Sequence, residues 1–171
     1  MSNPRWPAHE AAALVLKELR GPDGRLAYPI DPVRIARDLG INVYSAKLEN
    51  SLSGLIAKTS EVEPPEVFLN SEHAPVRQRF TCAHELGHYF HNETDSGPGL
   101  KTYVHRRDAR SSCGTDVEEI YANQFAANLL MPEDVVKDLY AMYGNPVPVA
   151  MELEVSLEAL NLRMKKLRIG Q

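Results

Sequence analysis

Cysteine is scarce in this chain, with only Cys82 and Cys113 among 171 residues. Two thiols do not make a disulfide framework. That excludes the small stapled secreted scaffolds and leads to the expectation of a reduced, cytoplasmic protein. Long apolar runs are also missing. The stretch "AALVL" near the N-terminus follows no basic lead and is cut short by Lys17 and Glu18, so neither a signal peptide nor a membrane span is expected. Charge of one sign is not in large excess either. A net charge of −4 gives no global attraction to nucleic acid or to an anionic membrane, and direct nucleic-acid binding is not expected. Repeats and low-complexity segments are absent. What is present, 43% apolar and 25% charged residues, suits a globular chain long enough to build its own core. One domain over 1–171 is expected, with Met1–Pro7 as a loose tail.

The local signals predict an α+β protein in which helices pack on a small three-stranded sheet. A first helix is expected from Ala8 to Arg20, stopped by "GPDG". Asp31 followed by Pro32 is an N-cap and first helical position, and Gly40 closes that helix. Three extended segments follow, Ile41–Ser45, Ser53–Lys58 and Glu66–Asn70, rich in β-branched and aromatic residues and separated by turn residues. The next helix is expected from Pro75 to about His91. Residues from Leu100 to Gly114 are polar and fit a loop with some strand. Thr115 and Glu118 form a capping box for a helix reaching Leu130. Another helix begins at Pro132 and ends near Tyr143, "GNPVP" breaks the chain, and Ser156 caps a last helix to about Arg168. The segment 145–171 is thus a C-terminal helical extension, with a partner-docking role among its expectations.

Chemistry concentrates in "FTCAHELGHYFHNE", Phe80 to Glu93. On a helix, His84 and His88 lie about 40° apart in projection and about 6 Å along the axis, so both imidazoles can reach one cation. Glu85 lies roughly 80° round from their midline, outside the ligand set yet within reach of a water beside the ion. That is the division of labour metal-assisted hydrolysis needs: neutral nitrogens hold the ion and a separate carboxylate accepts a proton. Zn2+ is the expected ion, since imidazole suits it. Gly87 leaves room on the histidine face for another element. Val76, Ala83, Leu86 and Phe90 lie on the back, expected to bury against the sheet.

Two core histidines beside a surface glutamate would be the bland alternative, and a third ligand decides between them. His91 shares the face but sits badly for closing a tetrahedron, and His73 and His105 fall in no recognisable pattern. The strongest candidate is Glu119 in "EEIYANQFAANLLMP". It shares a helical face with Ala122, Asn123, Ala126 and Leu130. Asn123 can orient a ligand by hydrogen bonding, and the two alanines permit close approach opposite Gly87. Without the first motif, the same stretch would read as an ordinary amphipathic helix with Glu119 in water.

With both motifs in hand, the chain resembles the ImmA/IrrE family of zinc metallopeptidases. The resemblance runs from about Ile41 to Pro132 and is carried by "SGLI", "VFLN", "RFTCAHELGH" and "EEIYANQFAANLLMP" in that order. It implies a compact zincin-like fold of the gluzincin type, with His84, His88 and Glu119 as zinc ligands and Glu85 as general base. It also implies cleavage of a partner protein, a helix-turn-helix repressor of a mobile element or stress response. Larger members carry a C-terminal sensor domain, and this chain resembles the minimal type. Cys82 stands where members typically have an apolar residue.

Further expectations are weaker in residue signal. The strand containing Gly54, Leu55 and Ile56 is expected to be exposed and to hold substrate backbone by strand addition. Tyr103, His105 and Tyr121 are candidates for stabilising the oxyanion. Leu157, Leu160, Met164 and Leu167 have core spacing on the last helix. Arg163, Lys165, Lys166 and Arg168 decorate it as a solvated basic face, with docking of a repressor as the functional alternative. Cys113 is a candidate latency thiol for the ion. The competing function class is a non-proteolytic zinc-containing module that regulates a repressor or an antitoxin-like partner.

Overall fold

A computed structural model describes residues 5–92, 102–108 and 117–170. Along the chain run α1 (Ala8–Leu19), α2 (Pro32–Asp38), β1 (Asn42–Ala46), β2 (Leu52–Lys58), β3 (Glu66–Asn70), α3 (Pro75–Asn92), β4 (Tyr103–Asp108), α4 (Val117–Leu130), α5 (Glu133–Tyr143), α6 (Pro146–Leu153) and α7 (Leu157–Leu167). The architecture is α+β.

Several boundaries follow from local chemistry. The Asp31 side chain accepts hydrogen bonds from Val33 N and Arg34 N at 3.0 and 3.1 Å, and Pro32 supplies the first helical residue. Such a cap contributes about 1 kcal/mol. Gly40, at φ +78°, takes the left-handed conformation that ends the helix. Ser156 accepts from Ala159 N and starts α7. The segment "GNPVP" does not simply break the chain. Gly144 at φ 62° closes α5, Asn145 then accepts from Val147 N, and Pro146 opens α6. One short stretch therefore ends one helix and begins the next.

Among the described residues the sheet has four strands rather than three, in the order β1-β3-β2-β4. β1 runs parallel to β3, while β2 is antiparallel to both β3 and β4. The polar sequence of β4 hides its strand character because it is an edge strand. Val104 and Arg106 face solvent there, whereas Tyr103 and His105 are half-buried. β2 is interior, with both edges paired, so the expectation of an exposed β2 is corrected.

α3 lies on one face of the sheet and α4 packs along α3. Gly54 makes the first contact possible: a Cβ there would lie 2.6 Å from Thr81 Cγ2 and 2.7 Å from Phe68 O. Ala83 and Leu86 are fully buried, as the helical pattern implies. Phe90 instead stacks on Phe125 of α4, with ring centroids 5.0 Å apart, and Val76 lines an apolar groove shared with Val147 and Met151 of α6. The expected apolar back thus divides between sheet, α4 and α6. A single cluster of buried residues joins α1, the sheet, α3 and α4 to Leu139, Leu153 and Leu160.

Arg163 is not part of a basic surface. It is buried, and its guanidinium donates to Met131 O and to Asn128 Oδ1, both at 3.0 Å. It ties α7 to the α4–α5 junction, leaving Lys165, Lys166 and Arg168 exposed. On the same helix Leu160 and Met164 enter the core, while Leu157 is 41% exposed. At the other end, Trp6 is held by a hydrogen bond from Tyr121 Oη to its carbonyl at 2.9 Å. Among the described residues no helix is long and apolar enough to cross a membrane.

Candidate metal centre

α3 carries His84 and His88 one turn apart, and α4 brings Glu119 to them in its first turn. His84 Nε2 and His88 Nε2 are 3.0 Å apart. Glu119 Oε2 lies 3.3 Å from His84 Nε2, and its Oε1 lies 3.1 Å from His88 Nε2. Both histidines are almost wholly buried and Glu119 is partly buried. Close approach of the helices depends on Gly87, where a Cβ would sit 2.6 Å from Ala122 Cα. Glu85 is fully buried at the position following His84.

The donor set suits a tetrahedral cation. Ligand bonds of 2.0–2.1 Å would place neighbouring donors about 3.3 Å apart, and the three separations observed are close to that. Tautomer chemistry agrees. His84 Nδ1 lies 3.0 Å from Asn123 Oδ1, an acceptor, so the proton sits on Nδ1 and the Nε2 lone pair points at the other two residues. Two imidazole nitrogens and a carboxylate facing one another out of water call for a shared cation. Burial opposes charge on Glu119; when the two imidazoles are protonated on the side facing it, their hydrogen bonds and charge outweigh burial and hold the carboxyl well below the usual carboxylate range, and a cation on the Nε2 lone pairs would take the place of those protons. His84, His88 and Glu119 are therefore residues that could hold a metal.

The remaining candidates scatter. Gly54 and Ile56 face the helix layer and are buried. With β2 interior, these residues and Leu55 lack the open edge that strand addition requires, which corrects that expectation. Tyr121 donates its hydroxyl to Trp6 O, away from the centre, and burial pushes its ionisation up to about 12. His91 packs edge-on against Tyr121, with ring centroids 5.0 Å apart. His73 Nε2 meets Asn50 O at 3.3 Å, far from the centre in the fold. Cys82 is buried on the core side of α3; burial first, and then the Glu85 charge, push its thiol up to about 12. Cys113 and Thr115 lie outside the described residues.

His105 is the residue whose place the sequence conceals. It projects from β4, where it pairs in register with Ile56, and its ring stacks on His88 with centroids 4.3 Å apart and planes 7° from parallel. Tyr103 on the same strand lies against His105, at 5.6 Å between centroids. Asn92 and Glu118 complete this surround, through contacts at 3.0 and 3.5 Å to the His105 ring nitrogens. Helical periodicity carries no signal for this surround, since neighbouring Glu118 and Glu119 project about 100° apart on α4 and meet different imidazoles.

The chain is 27% identical over 130 residues to "Uncharacterized immunity region protein 2" of Bacillus phage phi105, covering 70% of this chain and 77% of that protein. Residues 36–165, which span the sheet, both helices of the centre and most of α7, match the peptidase family defined by the IrrE N-terminal-like domain. The chain belongs to that peptidase family.

Proposed function

We propose that the protein is a zinc-dependent endopeptidase of the gluzincin type that cleaves a partner protein, with a helix-turn-helix repressor as the substrate. The observation that carries the proposal is the buried triangle of His84, His88 and Glu119 donors, with Glu85 next in the chain to the first of them. Membership of a peptidase family supports the reaction class, and a relative from a phage immunity region fits a repressor substrate.

His84, His88 and Glu119 would hold the ion. Zinc supplies a Lewis acid for the scissile carbonyl and lowers the pKa of an attacking water. Glu85 accepts the proton of that water and delivers it to the departing amine, a transfer that contributes typically about 10²–10⁴-fold. Asn123 fixes the His84 tautomer that turns the Nε2 lone pair toward the ion site. The substrate backbone aligns along the outer edge of β4, the sheet edge that carries His105, by adding a strand there.

The test is metal content together with cleavage of a genetically adjacent repressor, with and without chelator. The parent should carry about one zinc and cut. Glu85→Gln should keep the zinc and lose cleavage, whereas His84→Ala should lose both. A zinc-loaded protein that binds the repressor without cutting it would establish the non-proteolytic alternative.

A further inference from the structure

The two histidines of the centre are oriented by different means. His84 is fixed by a hydrogen bond from Nδ1 to Asn123 Oδ1. His88 has no such bond: among the described residues its Nδ1 is buried without a hydrogen-bond partner. A metal-ligating imidazole ordinarily donates its second nitrogen to an oxygen, which sets the ring plane. For His88 something else must set that plane.

We propose that His105 is the positioning residue for His88, holding its ring by face-to-face stacking where a hydrogen bond holds His84. The inference rests on His84, His88 and Glu119 forming the metal centre. The stack is close and nearly parallel, at 4.3 Å and 7°. Against a wholly buried ring, that contact restricts both tilt and rotation.

His105 is itself braced in the plane of its ring. Asn92 Nδ2 donates to His88 O at 2.7 Å, which fixes the amide with its nitrogen on that side. The same nitrogen lies 3.0 Å from His105 Nε2, so Nε2 accepts and the His105 proton sits on Nδ1. Nδ1 in turn faces Glu118 Oε2 at 3.5 Å. Asn92 comes from the last turn of α3 and Glu118 from the first turn of α4. The brace therefore spans the same two helices that supply the ligands, and β4 closes it from the sheet side.

A second ion shared by His88, His105 and Glu118 is the competing account of this cluster, since their donor atoms lie within 4.8 Å of one another. The geometry disfavours it. Imidazole holds a metal in its ring plane, and two parallel rings stacked face to face do not aim in-plane lone pairs at a common point. Asn92 also occupies the His105 Nε2 lone pair.

The test compares His105→Phe, which keeps an aromatic face, with His105→Leu, which has similar bulk and none. Zinc affinity is read by chelator competition, Co2+ substitution reports ligand geometry through its visible absorption, and ring-current shifts of the His88 ring protons report the stack in the metal-free protein. His105→Leu is expected to weaken zinc about 10-fold or more, the scale of lost orienting contacts. It should also alter the Co2+ bands and abolish the upfield shift. His105→Phe should restore all three to near the parent. Equal weakening in both variants would overturn stacking as the cause, and so would an unchanged His105→Leu. Binding of a second equivalent of metal that His105→Phe removes would establish the shared ion instead. A parent that binds zinc independently of His84 and Glu119 would overturn the centre itself, and this proposal with it.

Discussion

The missing side chain of Gly87 and the backbone of Ala122 define the contact that assembles the centre. A Cβ at Gly87 would stand 2.6 Å from Ala122 Cα and 3.0 Å from its carbonyl oxygen, so the two helices approach backbone to backbone. Ala122 lies less than one turn after Glu119 on α4, and Gly87 lies between His84 and His88 on α3. The small residues set the spacing of the ligands.

Gly87→Ala should therefore do more than destabilise. A clash against backbone cannot be relieved by a rotamer change, and overpacking of this kind costs about 1–3 kcal/mol. Thermal melting should fall accordingly. Zinc affinity should fall as well, because moving α4 outward carries Glu119 with it. An unchanged affinity in a folded Gly87→Ala protein would show that Glu119 is placed by other contacts.

Asn123→Ala should weaken zinc about 10–100-fold by releasing the His84 tautomer. Asn123→Asp, which keeps an acceptor for Nδ1–H, should recover most of that loss. Chelator competition on the two variants checks the difference, with melting of the metal-free proteins as the control for folding.

Alkaline pH should destabilise the fold through Cys82 and Tyr121. Folding raises the Cys82 thiol from 9.0 to about 12 and the Tyr121 phenol from 10.0 to about 12. Both groups are neutral well below pH 9, so stability is insensitive to them up to about pH 8. Above it the unfolded chain ionises first, and stability falls as pH rises toward 12. Cys82→Ala should flatten the early part of that decline in denaturant titrations at stepped pH. The thiol should also resist alkylation at pH 8 until the protein is unfolded.

Arg163 should behave unlike its basic neighbours. Arg163→Met strands Met131 O and Asn128 Oδ1 and should cost about 1–3 kcal/mol. Reversing Lys165 and Lys166 together should cost no more than about 1 kcal/mol, since both are exposed and act only through the C-terminal end of the helix dipole. Urea unfolding of the two proteins separates a pinned guanidinium from a solvated charge.

Much of the local structure is legible in the sequence itself. The strand Glu66–Asn70, the cap at Asp31, the start of α3 at Pro75 and the cap at Ser156 appear where the residues imply them. Each of these depends on a side chain acting on its own or neighbouring backbone. The missed helix α6 is instructive, because the proline and glycine read as breakers were a helix stop followed directly by a helix start.

What the sequence determined by itself was everything set within a few residues: two imidazoles brought to one side of α3 by 3.6-residue periodicity, a carboxylate and an amide one turn apart on α4, and caps that start and stop the helices. Only the tertiary structure decided that β2 lies inside the sheet, that β4 forms its edge, that Arg163 is buried and that His105 lies flat on His88. Those are contacts between residues distant in the chain, and they follow from strand order and helix docking. Periodicity records which face a residue occupies, but not what the rest of the fold brings against that face.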